Sequence, residues 1–322
     1  MEAAIIVTYR CNARCRMCHT WQFPTRPEEE FTPRLLEKIP ALAFCNITGG
    51  EPFMREDISE IVAILKKRAK RIVISTNGYL TERIVNLARE HKDIGFRISL
   101  EGLPAVNDEL RGLKDGFNYG LKTLLELQKM NRRDIGVGIT VSDRNLGDLL
   151  ELYQMTKKMR VEFATAVVHN SYYFHKDDNR IKKRGEAVKS FEILTRELLR
   201  SGRPKNWFRA YFNYGLINYI QGGRRLLPCG AGTGIFFLDP WGEIRPCNGM
   251  RSDSRDNSFG NLHEKSFAEI WYGDKAQEIR RRVKVCNRQC WMIGTAAPAM
   301  KRRPWKPVFW VIRNKFSKKK IG

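Results

Sequence analysis

The chain contains no apolar run near the ~18–20 residues a membrane-spanning helix requires. The stretch at its N-terminus, Ala3 to Val7, is short and follows Glu2, which makes a poor export signal. With 13 Pro and 25 Gly among 322 residues it is neither collagen-like nor mostly disordered. No internal repeat is evident. Acid is the scarce charge: 35 Asp and Glu face 58 Lys and Arg, for a net +23 and a pI near 9.9. These absences lead to the expectation of a soluble, cytoplasmic protein with anionic partners. In a compartment that keeps thiols reduced, its eight cysteines point to metal before disulfide.

Strand-like runs recur at 3–8, 44–48, 71–76, 95–100, 135–141 and 161–168. Segments of helical period follow at 33–43, 57–69, 81–91, 117–131, 146–159 and 186–201. In the second, Ile58, Ile61, Val62, Leu65 and Ala69 form one stripe, and Lys66, Lys67, Arg68 and Lys70 end it where cations suit the helix dipole. This alternation predicts a parallel α/β sheet closing into a partial six-stranded (β/α)6 barrel over 1–205. A small α+β domain is expected over 206–298. It opens on an aromatic helix at 207–220, has a hairpin at Pro240-Trp241-Gly242 and carries two short helices near 265–284. A basic, aromatic tail, 299–322, completes the chain.

Cys11, Cys15 and Cys18 fall in a C-x3-C-x2-C pattern immediately after the first strand. Three thiolates can face a four-iron cube and leave one iron open to an exogenous ligand. Zinc with His19, or a disulfide, are the alternatives. Thr48-Gly49-Gly50-Glu51-Pro52, Ser75-Thr76-Asn77-Gly78 and Ser99-Leu100-Glu101-Gly102 follow strands two, three and four. All of these segments emerge at the carboxyl ends of parallel strands, where α/β sheets bind ligands.

Together these motifs resemble those of the radical S-adenosylmethionine (radical SAM) superfamily. The resemblance covers about 1–200. It implies that Cys11, Cys15 and Cys18 hold a 4Fe–4S cluster chelated by SAM, whose reductive cleavage gives a 5′-deoxyadenosyl radical that abstracts a substrate hydrogen. It implies SAM contacts from Gly49, Gly50, Glu51, Ser75, Asn77, Ser99 and Glu101. Glu101 stands where the family more often has Asp, and Met17 where an aromatic residue is common before the third cysteine.

A second set, Cys229, Cys247, Cys286 and Cys290, surrounds Gly242–Cys247, Phe259–Leu262 and Phe267–Trp271. This resembles the twitch type of auxiliary domain, the shortened relative of SPASM, holding one auxiliary 4Fe–4S cluster; a four-cysteine zinc ribbon is the alternative. Four thiolates on one cluster leave no open iron, which suits an electron acceptor and an oxidative reaction. Cys45, alone on an apolar strand, is expected to be a small buried hydrophobe.

Asp143, His169 and Asp239 are candidate proton acceptors or substrate contacts. Arg111 either faces the substrate or is solvated. The leading expectation is oxidation of a sugar- or aminocyclitol-type or carrier-linked, anionic small-molecule substrate, with reduction by a flavodoxin or ferredoxin. A peptide-modifying maturase is the alternative, against which the chain's opening on its first strand weighs. A non-catalytic iron–sulfur electron-transfer protein is a reading of another class. Residues 301–322 hold nine Lys and Arg and no acid. Their aromatics suit peripheral contact with an inner membrane surface or packing on the auxiliary domain, with nucleic acid disfavoured and helix confined to 308 onward.

Overall fold

The computed structural model describes residues 1–250 and 257–316. Six parallel strands form the core: β1 (Glu2–Ile6), β2 (Phe44–Thr48), β3 (Ile72–Thr76), β4 (Gly95–Ser99), β5 (Ile135–Val141) and β6 (Glu162–Val167). They pair in sequence order, as short crossover connections require. The crossovers carry α1 (Ile58–Lys66), α2 (Thr81–Glu90), α3 (Pro104–Arg111), α4 (Gly116–Lys129) and α5 (Leu149–Lys158), and α6 (Arg184–Arg200) follows β6. Ile47, Ile74, Phe96, Val137 and Phe163 alternate along the strands and are buried beneath the helices, each worth ~1.5–3 kcal/mol. Between them Asn46, Ser75, Arg97, Ser99, Gly138 and Thr140 are only half-buried. The barrel interior is therefore polar and small.

Its N-terminal end is filled by charge. Asp134 accepts from Arg71 Nε at 2.7 Å and from Arg97 Nη2 at 2.7 Å. Although burial opposes it, these two guanidinium groups hold the carboxyl well below the ordinary range. At the start of β6, Glu162 pairs with Lys205 at 2.9 Å and with Arg209.

The sheet does not stop at residue 205. After α7 (Pro204–Ile220), β7 (Ile235–Leu238) pairs parallel with β1. Antiparallel β8 (Glu243–Arg245) and β9 (Gly260–Asn261) extend the sheet to nine strands among the described residues. The expected hairpin at Pro240–Gly242 joins β7 to β8, with Gly242 at φ +85°. The two short helices are α8 (Phe267–Tyr272) and α9 (Asp274–Lys284), followed by α10 (Ile293–Arg302) and α11 (Trp305–Lys315). β1 is buried along its whole length because it has paired strands on both sides and covered faces.

Three local expectations differ from the structure. The first helix, expected over 33–43, is a 3-10 segment at Pro33–Lys38, because Pro33 starts it and Pro40 stops it. α3 went unexpected, although Pro104 at its first turn and left-handed Gly112 at its end are helix signals. α11 begins at Trp305, not after Pro307. A proline in the first turn removes an N–H that has no helical partner there.

Candidate active site

The loop leaving β1 carries Cys11, Cys15 and Cys18, all free thiols. It is stitched to the end of α3: Arg14 N donates to Arg111 O at 2.9 Å and Arg16 N to Leu110 O at 2.8 Å. Gly112 (φ +54°) makes room for this, since a Cβ there would lie 2.7 Å from the Arg14 carbonyl oxygen. On the other side, Gly50 N donates to Thr8 O and Glu51 N to Arg10 O, each at 2.8 Å. A Cβ on Gly50 would collide with the Arg10 carbonyl, and one on Gly49 would lie 2.5 Å from Thr8 O. The paired glycines thus let two strand-end loops touch backbone to backbone.

The SAM-contact candidates gather at this rim. Glu51 is buried and accepts from Thr76 Oγ1 at 2.7 Å, Asn77 N at 2.7 Å and Phe53 N at 3.2 Å. Burial raises its pKa while these donors oppose the shift. Asn77 Nδ2 donates to Asn12 Oδ1 at 2.6 Å, tying the third strand end to the cysteine loop. Ser75 Oγ donates to Asn46 Oδ1 at 3.0 Å inside the barrel, and Ser99 lies beside Gly138 in the strand register. Glu101 is sealed away from solvent, where its carboxylate accepts from Thr140 N at 2.6 Å and Arg111 Nη1 at 3.0 Å. Burial pushes it up; Arg111 holds it down.

The proton-acceptor candidates separate. Asp143 accepts from Lys182 N at 2.9 Å and Lys183 N at 3.0 Å, and so pins the chain just ahead of α6. Asp239 is buried, accepts from Glu243 N at 3.0 Å and pairs with Arg245 at 3.0 Å. Burial pushes its carboxyl up to about 6. His169 Nδ1 meets Val167 O at 3.1 Å, which fixes the proton there. Its Nε2 is buried without a partner, and burial lowers its pKa. The ring is a neutral acceptor at the rim.

The second cysteine set lies close by. Cys229 follows α7, Cys247 follows β8, and Cys286 and Cys290 follow α9. Burial pushes Cys247 up to about 12, with Cys290 and Cys229 adding to the rise; Cys290 is raised by burial, then by Cys229 and Cys286. Cys11 and Cys15 are likewise pushed up by burial, to about 12 and about 11. Grouped thiols that resist ionisation alone suit a cationic metal partner that binds them as thiolates. Among the described residues, no trio of Cys, His, Asp or Glu draws in around a single ion.

Beyond His169, sequence reasoning missed the segment 170–179, which clasps both cysteine sets. Tyr173 Oη donates to Gly49 O. Thr20 Oγ1 donates to Tyr173 O at 2.8 Å, His19 N to Phe174 O at 2.7 Å, and Asn179 Nδ2 to Met17 O at 3.0 Å. On the auxiliary side, Ser171 Oγ donates to Asn248 O at 2.5 Å, and Arg288 Nη2 to Asn170 O at 2.7 Å. A narrow crevice beside Cys247 is lined by Tyr9, Tyr172, Tyr173, Asp239 and Arg245. The Tyr172-Tyr173-Phe174 run was the available signal. Cys45 is buried in β2, as expected of a hydrophobe.

Comparison with known proteins agrees with this geometry. The radical SAM superfamily model matches residues 5–156, and that of the SPASM iron–sulfur cluster-binding domain matches 229–291. The chain thus carries a radical SAM domain over residues 5–156 and a SPASM-type iron–sulfur domain over residues 229–291. It is therefore an enzyme of SAM, a SAM-binding 4Fe–4S cluster and auxiliary iron–sulfur chemistry. It is 25% identical to Fe-coproporphyrin III synthase of Methanosarcina barkeri, across 82% of this chain and 72% of that one. It is 28% identical to the subtilosin biosynthesis protein AlbA of Bacillus subtilis, across 84% of this chain and 59% of AlbA. The fold matches Streptococcus suis SuiB bound to its precursor peptide SuiA, with TM-score 0.64, 17% identity, and 88% and 66% of the two chains covered.

Proposed function

We propose that this enzyme removes a hydrogen atom from a side chain of a peptide substrate. The relatives favour this over the sugar- or aminocyclitol-type oxidation expected from the sequence. The observation that carries it is the 28% identity to AlbA over 84% of the chain. Open space in the barrel is consistent with it, since a Cβ on Gly138 would meet nothing within 4 Å. A tetrapyrrole is the second reading, favoured by the identity to Fe-coproporphyrin III synthase.

In this proposal residues 1–205 form the radical core, 206–298 the auxiliary domain and 299–322 the tail. Cys11, Cys15 and Cys18 hold the SAM-binding cluster, and Cys229, Cys247, Cys286 and Cys290 the auxiliary one. When bound, these groups and SAM supply a 5′-deoxyadenosyl radical and an electron acceptor. Gly49, Gly50, Ser75, Asn77 and Ser99 line the SAM side of the rim. Glu51 and Glu101 act from beneath, holding backbone N–H groups of Asn77 and Thr140 in place. His169 Nε2 takes the proton that the substrate gives up. Asp143 and Asp239 serve as positioning residues. A flavodoxin or ferredoxin is the proposed reductant.

The test is 5′-deoxyadenosine formation under dithionite, with side-chain-deuterated peptides, coproporphyrin and sugars compared. Deuterium passing from a peptide into 5′-deoxyadenosine supports the reading. Transfer only from the tetrapyrrole or a sugar overturns it. With His169→Phe, hydrogen abstraction is expected to persist while the pH profile of product formation loses its lower limb.

A further inference from the structure

The last described helix, α11, turns two different faces. Pro307 and Val311 are buried, and Trp310 stacks on Tyr214 of α7 with centroids 5.0 Å apart. Lys315 Nζ donates to Leu199 O at 2.6 Å at the end of α6. The helix is thus fixed to the body by one side. Trp305, Val308, Phe309, Ile312 and Phe316 lie on the other, at the spacing of a single helical stripe. They are exposed by 60%, 42%, 71%, 55% and 77%. Burying a helix's inner face while leaving five large apolar side chains in water is costly unless something covers them.

Charge identifies the cover. Arg303, Lys306 and Arg313 are exposed around the stripe, and no acid occurs in 301–322. The helix also lies at the amino-terminal end of the barrel strands. Lys301, four residues before it, pairs with Glu2 at the start of β1, and Lys315 donates to Leu199 O, near Ser201. Arg71 and Lys205 at that same end are part-exposed but paired with Asp134 and Glu162, so the charge comes from the helix and its approach. One pole therefore joins an aromatic–aliphatic row to a field of cations. A second copy of this chain would bring like charge against like charge. A protein partner would have to bring a matching acidic rim around an apolar centre, whereas an anionic bilayer presents both along its whole surface. Single-stranded nucleic acid would stack on Trp305 and Phe309 but gain little from Val308 and Ile312. An apolar row with cations beside it fits acyl chains below and anionic headgroups around.

We infer that this face docks the enzyme on a membrane surface rich in anionic lipid, with α11 lying in the interfacial plane. The rim with the cysteines, at the opposite strand ends, then faces away from the bilayer. This holds whatever the substrate is.

The test uses the full chain with vesicles of phosphatidylcholine alone or mixed with phosphatidylglycerol, read by sedimentation. The wild type is expected to bind the mixed vesicles and to dissociate as salt rises. Phe309→Ser with Ile312→Ser is expected to weaken binding by at least about tenfold, as loss of apolar insertion requires. Lys306→Glu with Arg313→Glu should remove the preference for anionic lipid. SAM cleavage and the melting temperature, unchanged in both variants, show that they fold. Failure of the wild type to bind the mixed vesicles overturns the inference, as does equal binding by the Phe309→Ser, Ile312→Ser variant. Binding of single-stranded RNA in place of vesicles assigns the face to nucleic acid and overturns it too.

Discussion

Arg111 Nη1 donates to Glu101 Oε1 over 3.0 Å, in an ion pair with both side chains 10% exposed or less. The same arginine's carbonyl receives Arg14 N from the cysteine loop, so the pair underlies the ground on which that loop rests. Arg111→Leu leaves Glu101 as a buried unpaired carboxylate and is expected to cost ~3–5 kcal/mol. Arg111→Leu with Glu101→Leu should cost less than the single change. Urea unfolding of the three proteins checks this, and iron retained per chain should fall in the same order.

Gly50 and Gly138 predict opposite outcomes for one substitution. Gly50→Ala drives a Cβ into the Arg10 carbonyl, backbone that cannot yield, and is expected to destabilise by ~1–3 kcal/mol and weaken SAM binding. A Cβ at Gly138 meets nothing within 4 Å, so Gly138→Ala should hold stability within ~0.5 kcal/mol. Its effect belongs to substrate: a methyl group in the barrel interior is expected to raise KM. Melting curves and titration calorimetry with SAM separate the two.

Asp239 gives a pH signature. Its carboxyl, pushed up to about 6 by burial, is raised above its unfolded value, so its contribution to stability is present in full below about 4 and is lost as pH rises through about 6. His169, lowered by burial, acts in the other direction: its contribution is present above the unfolded value near 6.5 and is lost as pH falls. Asp239→Asn keeps the size of the side chain and removes the titration. The difference in unfolding free energy between wild type and Asp239→Asn is expected to shift toward the variant between pH 4 and 7, by up to about 3 kcal/mol. A difference that does not change with pH contradicts this.

Tyr173 ties segment 170–179 to the strand-two end of the rim by donating to Gly49 O. Tyr173→Phe loses one hydrogen bond, worth ~0.5–1.5 kcal/mol, and leaves the ring in its packing against Tyr9, 5.8 Å away. A small fall in stability with a larger fall in SAM affinity is expected, measured by thermal unfolding beside calorimetry.

The six barrel strands were legible because β-branched runs such as Ile135–Val141 stand between helical stripes. The cysteine spacings and strand-end motifs were legible because each lies within a few residues of chain. Segment 170–179 was not, because it has no period of its own. Its bonds join residues far apart, as Ser171 with Asn248 and Asn179 with Met17. The buried partners of Glu51 and Glu101 were hidden for the same reason: Asn77 and Thr140 come to them from other strands. β7 beside β1 is a pairing across more than two hundred residues, and no local signal announces it.

The account rests on two iron–sulfur sites in one chain, and iron and sulfide per chain after anaerobic reconstitution test this most directly. Four-iron clusters at both sites require about eight of each. Replacing Cys229, Cys247, Cys286 and Cys290 by Ala should lower both to about four while SAM cleavage under dithionite continues. About four iron in the wild type, unchanged by those four substitutions, would contradict the second cluster.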